Sequence, residues 1–327
     1  MKILYAASNN TNARIQLSRF LGAMDESPID IKVAAYKKSS PKNTNVDWTL
    51  DALLNIYRPD VMSLRNDNLS TYFDQVKSYA PDLIISDLEY FTSHVASELN
   101  IPIWQCSSSL INHATSRHER YHLGLFKFHA YSINRDPDQA QRTVNLIDNS
   151  DANLVYSHFG DTAIPPTLQQ GFEWIRPYHY IGKDHAPCQH YMVAGLSNND
   201  KRVLKLLKKY TDCVIFTEPH HEQYLDVLVK DIGLEEEYFC NLRNSVYFVC
   251  QGQASFLADA FYNKKFSIIY PDYQDPESIT NSQLSHKLGS GYIMDQSVDI
   301  STFSSFEVKP ALRGSVKYLH ERIKECF

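Results

Sequence analysis

Val249-Cys250-Gln251-Gly252-Gln253-Ala254-Ser255-Phe256-Leu257-Ala258-Asp259-Ala260 is the stretch whose reading decides the fold. Residues 246–250 form an apolar run that reads as a buried strand, and residues 255–262 read as a helix. Gly252 lies in the turn between them. A strand that feeds a glycine-containing turn into a helix aims backbone N–H groups, and the positive end of the helix dipole, at an anion. Gly252 admits close backbone approach there, and Ser255 adds a hydroxyl donor at the helix start.

The same strand–helix alternation extends on both sides. Downstream, 266–270 reads as a strand, 281–288 as a helix and 292–294 as a short strand; upstream lie a strand at 213–217 and a helix over 223–230. Nearer the N-terminus, strands are expected at 3–7, 31–35, 81–87, 101–104, 153–156 and 178–182, with helices at 13–21, 68–79 and 92–99. Short apolar strands alternating with helices indicate parallel sheets covered on both faces. A chain of 327 residues exceeds what one core usually organises. The polar stretch from Pro187 to Ser197-Asn198-Asn199-Asp200 marks the junction. The expected division is 1–186, 187–309 and a terminal helix within 310–327, spaced by Leu312, Val316, Leu319 and Ile323. In open α/β sheets ligands bind beyond the carboxyl ends of the strands, so the cleft between two such sheets is the expected site.

Composition narrows the classes. The chain is 43% hydrophobic and 21% charged, as ordinary globular proteins are. Its net charge of −6 supplies no whole-protein attraction to nucleic acid or anionic membrane. Six scattered cysteines without a CxxC pair read as neither a disulfide framework nor a zinc ribbon, and suit a reducing compartment. No apolar run approaches the roughly 20 residues needed to span a bilayer. The expected location is the cytoplasm.

Three stretches, in the right order, resemble the GT-B glycosyltransferases, in the branch of the lipid-linked GlcNAc transferases and the UDP-glycosyltransferases. They are Pro81-Asp82-Leu83-Ile84-Ile85-Ser86-Asp87-Leu88-Glu89 through Asn100-Ile101-Pro102, the opening stretch around Gly252, and Ile269-Tyr270-Pro271 with Asp275-Pro276-Glu277-Ser278, Asn281 and Leu288-Gly289-Ser290-Gly291. The resemblance implies two Rossmann-like domains facing across a cleft, with the C-terminal helix crossing back. It implies transfer of a sugar from a nucleotide-diphosphate sugar to an acceptor hydroxyl by direct displacement, with no metal and no other cofactor. Thr217, Gly252, Gln253, Ser255, Asp259, Glu277 and Asn281 would then hold the donor. Asn10, Asn12, His118 and His122 would lie on the acceptor side. The sequence also departs from the family: Gln251 replaces its first glycine, Ala258 its ribose-binding Glu, Ser278 a Gln, and Asn12 sits near its catalytic His. Asparagine cannot act as a base, which moves that role to Asp87 or Glu89 at a strand end. The acceptor stays open among glycan, lipid, metabolite and nucleobase.

Two other readings stand beside this one. The altered glycine and His positions fit a GT-B relative that binds a nucleotide sugar without turnover. His118-Glu119-Arg120-Tyr121-His122 spells HExxH, the pattern of a zinc-dependent hydrolase. Its flanks, Ser116-Arg117, and the internal Arg120 are polar where a zinc-protease helix is apolar. Lys201 to Lys209 forms a basic amphipathic stretch, expected to pack its Leu face on a sheet and solvate its lysines.

Overall fold

The computed structural model describes residues 1–8, 11–36, 46–50, 67–115, 137–179, 192–196, 201–207, 209, 212–217, 228–231, 235–273, 275–294 and 315–326. The first unit runs β1 (Lys2–Ala7), α1 (Thr11–Met24), β2 (Asp30–Tyr36), β3 (Trp48–Leu50), α2 (Asp67–Tyr79), β4 (Leu83–Ser86) and α3 (Tyr90–Leu99). It continues through β5 (Ile103–Ser107), α4 (Ile111–Ala114), α5 (Pro137–Asp148), β6 (Ala152–Tyr156) and β7 (Phe172–Arg176). The second unit contains β8 (Met192–Gly195), α6 (Lys201–Leu207), β9 (Cys213–Thr217), β10 (Leu228–Asp231), α7 (Glu235–Asn244), β11 (Tyr247–Cys250), α8 (Ala254–Tyr262), β12 (Ser267–Ile269), α9 (Pro276–Lys287) and β13 (Gly291–Ile293). The chain then returns to the first unit as β14 (Lys317–Tyr318) and α10 (Leu319–Cys326).

Among the described residues the first sheet has eight strands in the order β14-β7-β6-β5-β4-β1-β2-β3. The second has six, ordered β10-β9-β8-β11-β12-β13. Every pair is parallel; β1 and β4, for example, are in register at Ile3 with Leu83 and Tyr5 with Ile85. Parallel strands are covered on both faces, which is why β1 and β4 read as unbroken apolar runs. Alternate residues feed two cores. Ile3, Tyr5 and Ala7 pack with Leu17 and Phe20 of α1 and with Leu319 and Ile323 of α10. Leu4 and Ile84 face Leu69 and Val76 of α2 and Phe91 and Val95 of α3. In the second unit, Val203, Leu204 and Leu207 of α6 are buried against the sheet while Lys205 is exposed, as the basic stretch suggests.

Three elements differ from expectation. The strand placed at 178–182 is instead β7, ending at Arg176; Tyr178 and His179 follow it, and 180–182 lie outside the described residues. Of the helix expected over 223–230, residues 223–227 lie outside the described residues and 228–230 belong instead to β10, which pairs with β9. The run Leu225-Asp226-Val227-Leu228-Val229 is short and apolar enough to fit either period, and pairing decides. Residues 317–318 form an edge strand on β7, so the last helix is only Leu319–Cys326. Cys240 is held in a disulfide, a bond that the scattered spacing does not announce. Among the described residues no helix is long and apolar enough to cross a membrane.

Candidate active site

Helices α1 and α8 bring the two units together through polar side chains. Asn12, Gln16 and Arg19 lie at i, i+4 and i+7, on one face of α1; Ser255, Asp259 and Tyr262 share that spacing on α8. The Ser255 N–H donates to Asn12 Oδ1 at 3.2 Å, and Gln16 Nε2 donates to Ser255 Oγ at 3.1 Å. One turn on, Arg19 grips Asp259 with both guanidinium N–H groups, at 2.9 and 3.1 Å, and also donates to the Tyr178 carbonyl at 2.9 Å. The Asp259 side chain is fully buried. At the far end Tyr262 donates to Asp161 at 2.6 Å, and Asp161 accepts a two-pronged pair from Arg176 at 2.7 and 2.9 Å. The His179 ring stacks on Tyr262 with centroids 3.6 Å apart.

The turn before α8 is fixed by packing. Gly252 has φ +86°, and a Cβ there would lie 2.4 Å from Ser282 Oγ and 2.6 Å from the Ser278 carbonyl oxygen of α9. Only glycine fits. Ser278 also donates to the Gln251 carbonyl, tying α9 to the same turn. Helix α9 begins with Asp275 as its cap, accepting from the Glu277 N–H at 3.0 Å, and Pro276 at its first position.

Carboxylates from both units converge on this turn. Glu277 accepts from Asn12 Nδ2 at 2.6 Å and from the Ser109 hydroxyl. Burial raises its pKa, and the negative charge of Asp87 raises it further while hydrogen bonds from Ser109 and Ser108 oppose the shift. Asp87, at the end of β4, is 5% exposed and accepts from the Ser8 hydroxyl. Burial pushes its pKa up to about 6, against hydrogen bonds from Ser107 and Ser8 that favour the carboxylate. The next residue, Leu88, has φ +53°, a conformation that a branched apolar side chain adopts only under constraint. Glu89 has a structural task instead. Its carboxylate caps α3 through the N–H groups of Phe91 and Thr92, and takes the Tyr36 hydroxyl at 2.7 Å. Of the two acids, Asp87 is thus the one without a helix-capping role.

Several buried polar atoms around the turn have no partner among the described residues. Asn281, 1% exposed, leaves both amide atoms unmatched; Gln253 and Gln16, at 4% and 7%, each leave Oε1 unmatched. Buried polar groups are usually paired, so these atoms mark a place where polar ligand atoms belong.

Asn12, Asp87, Gly252, Gln253, Ser255, Asp259, Glu277 and Asn281 are thus all described and buried or in the turn. Thr217 ends β9, and its side chain is not among those described. Asn10, His118 and His122, with the whole HExxH stretch, lie outside the described residues. Among the described residues no group of three His, Cys, Asp or Glu is placed to hold a metal. Sequence reading missed Ser8, Gln16, Arg19, Ser109 and Asp161. The signal for two of them was present: Asn12, Gln16 and Arg19 form a polar stripe at i, i+4 and i+7 on α1.

The sequence model of glycosyl transferase family 1 matches residues 43–309. No curated protein matches the chain. Among solved structures, the fold is similar to the spinosyn rhamnosyltransferase SpnG, with TM-score 0.60 and 14% identity over 89% of this chain and 85% of that one. It is also similar to the Streptomyces sp. SF2575 glycosyltransferase SsfS6 in complex with thymidine diphosphate, with TM-score 0.55 and 13% identity over 89% and 87%. The spinosyn forosaminyltransferase SpnP gives TM-score 0.53 and 16% identity over 93% and 87%.

Proposed function

The chain belongs to glycosyl transferase family 1, and from that premise we propose that it transfers a sugar from a nucleotide-diphosphate sugar to an acceptor hydroxyl by direct displacement. The observation that carries this reading is that Asn12, from the first unit, bonds both Glu277 and the N-terminal turn of α8, from the second, with the Asp87 charge close enough to raise the Glu277 pKa. The similarity to a fold seen with thymidine diphosphate supports a nucleoside diphosphate as the leaving group.

In this reading Asp87 is the base. It takes the proton of the acceptor hydroxyl as the acceptor oxygen bonds to the anomeric carbon. The bond from that carbon to the diphosphate oxygen breaks, and its electron pair leaves with the diphosphate. A carboxylate with a pKa near 6 is mostly ionised at neutral pH yet remains a useful proton acceptor. The dipole and backbone N–H groups at the start of α8, with the Ser255 hydroxyl, stabilise the departing negative charge. No metal is required for that neutralisation. Glu277 and Asn281 hold sugar hydroxyls, one through its carboxyl oxygens and the other through its unmatched amide.

A thermal-shift panel of UDP-, GDP-, dTDP- and CMP-sugars, with and without chelator, tests this. A ligand at about 100 times its dissociation constant stabilises by about 2.7 kcal/mol, a visible rise in melting temperature. A rise with one nucleotide that chelator leaves intact supports the reading. No rise with any of them sinks it.

A further inference from the structure

The N-terminal turn of α8, where the proposed reaction needs the donor, is already filled by the protein itself. Asn12 Oδ1 accepts from the Ser255 N–H, one of the helix-start groups that have no partner within the helix. That is the position of a phosphate oxygen bound at a helix N-terminus. The same carboxamide donates through Nδ2 to Glu277 Oε1 at 2.6 Å, as a sugar hydroxyl does to a carboxyl group. One side chain therefore presents one acceptor and one donor, on the two sides where a diphosphate sugar presents its phosphate and its hydroxyl.

We propose that Asn12 is an internal stand-in for the donor: in the empty enzyme its carboxamide holds the seat between Ser255 and Glu277, and the nucleotide-diphosphate sugar binds by displacing it. The inference rests on the donor reading above. The fit of the stand-in is incomplete, as displacement requires. Asn12 satisfies one N–H and one carboxyl oxygen, while Gln16 Oε1, Gln253 Oε1 and both amide atoms of Asn281 stay unmatched among the described residues. Gln16 is at the seat itself, since its Nε2 bonds Ser255 Oγ at 3.1 Å. A diphosphate sugar has oxygens and hydroxyls enough for all of them. It also brings negative charge beside the Ser255 N–H, where Asn12 brings only a dipole; the neighbouring Ala254 N–H is already bonded to Glu277. While Asn12 sits in the seat the site is closed to donor, and apparent affinity falls by the fraction of molecules so closed.

Titration calorimetry of UDP and of dTDP, against the wild-type chain and against Asn12→Ala and Asn12→Ser, decides the matter. Neither replacement spans both partners, and the serine variant guards against a fold that fails with alanine. The expected result is that the nucleotide that binds wild type binds both variants about tenfold more tightly, equivalent to about 1.4 kcal/mol. The ligand-free melting temperature falls at the same time, because the closed state has lost its contacts. Affinity unchanged or weakened in both variants overturns the inference and leaves the donor reading standing. If neither UDP nor dTDP binds, GDP and CMP are titrated in the same way; if none of the four binds any of the three proteins, the donor reading fails and the inference falls with it.

Discussion

At its N-terminal end α8 meets the first unit through a hydroxyl and two carboxamides, Ser255 with Asn12 and Gln16; at its C-terminal end it meets buried charge, Asp259 with Arg19 and Tyr262 with the Asp161–Arg176 pair. The first set is neutral, and each bond can be exchanged for water at small net cost. The second set includes a two-pronged ion pair between the units, Arg19 with the fully buried Asp259. It also includes the Tyr262 hydroxyl on Asp161, a carboxylate that Arg176 holds within the first unit. Separating this set strands the Asp259 charge in the interior. Stacking of His179 on Tyr262 and of Arg176 over Tyr318 adds to the second end. From this contrast we expect the interface to part more readily at Ser255 than at Asp259 and Tyr262.

The largest expected effect comes from breaking the charged end. Asp161→Ala leaves the Arg176 guanidinium, 15% exposed, without its carboxylate. Loss of about 3 kcal/mol or more is expected, read as a lower urea midpoint at unchanged slope. A loss under 1 kcal/mol would show that Asp161, which holds both Arg176 and Tyr262, does not anchor this end. Arg19→Ala strands the fully buried Asp259 in the same manner, and a comparable loss of about 3 kcal/mol is expected. Gln16→Ala removes a single neutral hydrogen bond and should cost about 1 kcal/mol or less. If it destabilises as much as Asp161→Ala, the two ends of α8 are equivalent and the contrast fails.

The smallest predicted effect is a shift in a pH profile. Asp87 must be ionised to accept a proton, so activity falls as pH drops through its pKa of about 6. The Ser8 hydroxyl favours the ionised form, and removing it raises that pKa. Ser8→Ala therefore moves the acidic limb to higher pH, while the Ser8→Thr variant, which keeps the hydroxyl, leaves it near the wild-type position. A limb that does not move in Ser8→Ala separates Asp87 from the proton transfer.

Much of this was legible beforehand, and for identifiable reasons. Residues 83–86 announce a strand because both of its faces are buried, and Gly252 announces a turn because no other residue tolerates α9 so near. Local sequence carries both facts. The edge strand at Lys317–Tyr318 is two residues long and pairs with a strand more than a hundred residues away, so no local period reports it. Glu89 reads as a free acid at a strand end, yet the left-handed turn at Leu88 swings it back to cap α3. The contact between α1 and α8 was least visible. Asn12 and Glu277 are 265 positions apart, and the polar stripe on α1 has meaning only opposite its counterpart on α8.

The central claim is that Asp87 takes the acceptor proton in a donor site built around Ser255 and Glu277. Its most direct test is Asp87→Asn, assayed with the sugar nucleotide that binds and with water as acceptor. Nucleoside diphosphate release and nucleotide affinity are measured side by side. The account predicts that release falls by about 10²- to 10⁴-fold, the usual contribution of a positioned base, while affinity stays within about twofold. Release at the wild-type rate, with affinity equally intact, would contradict it.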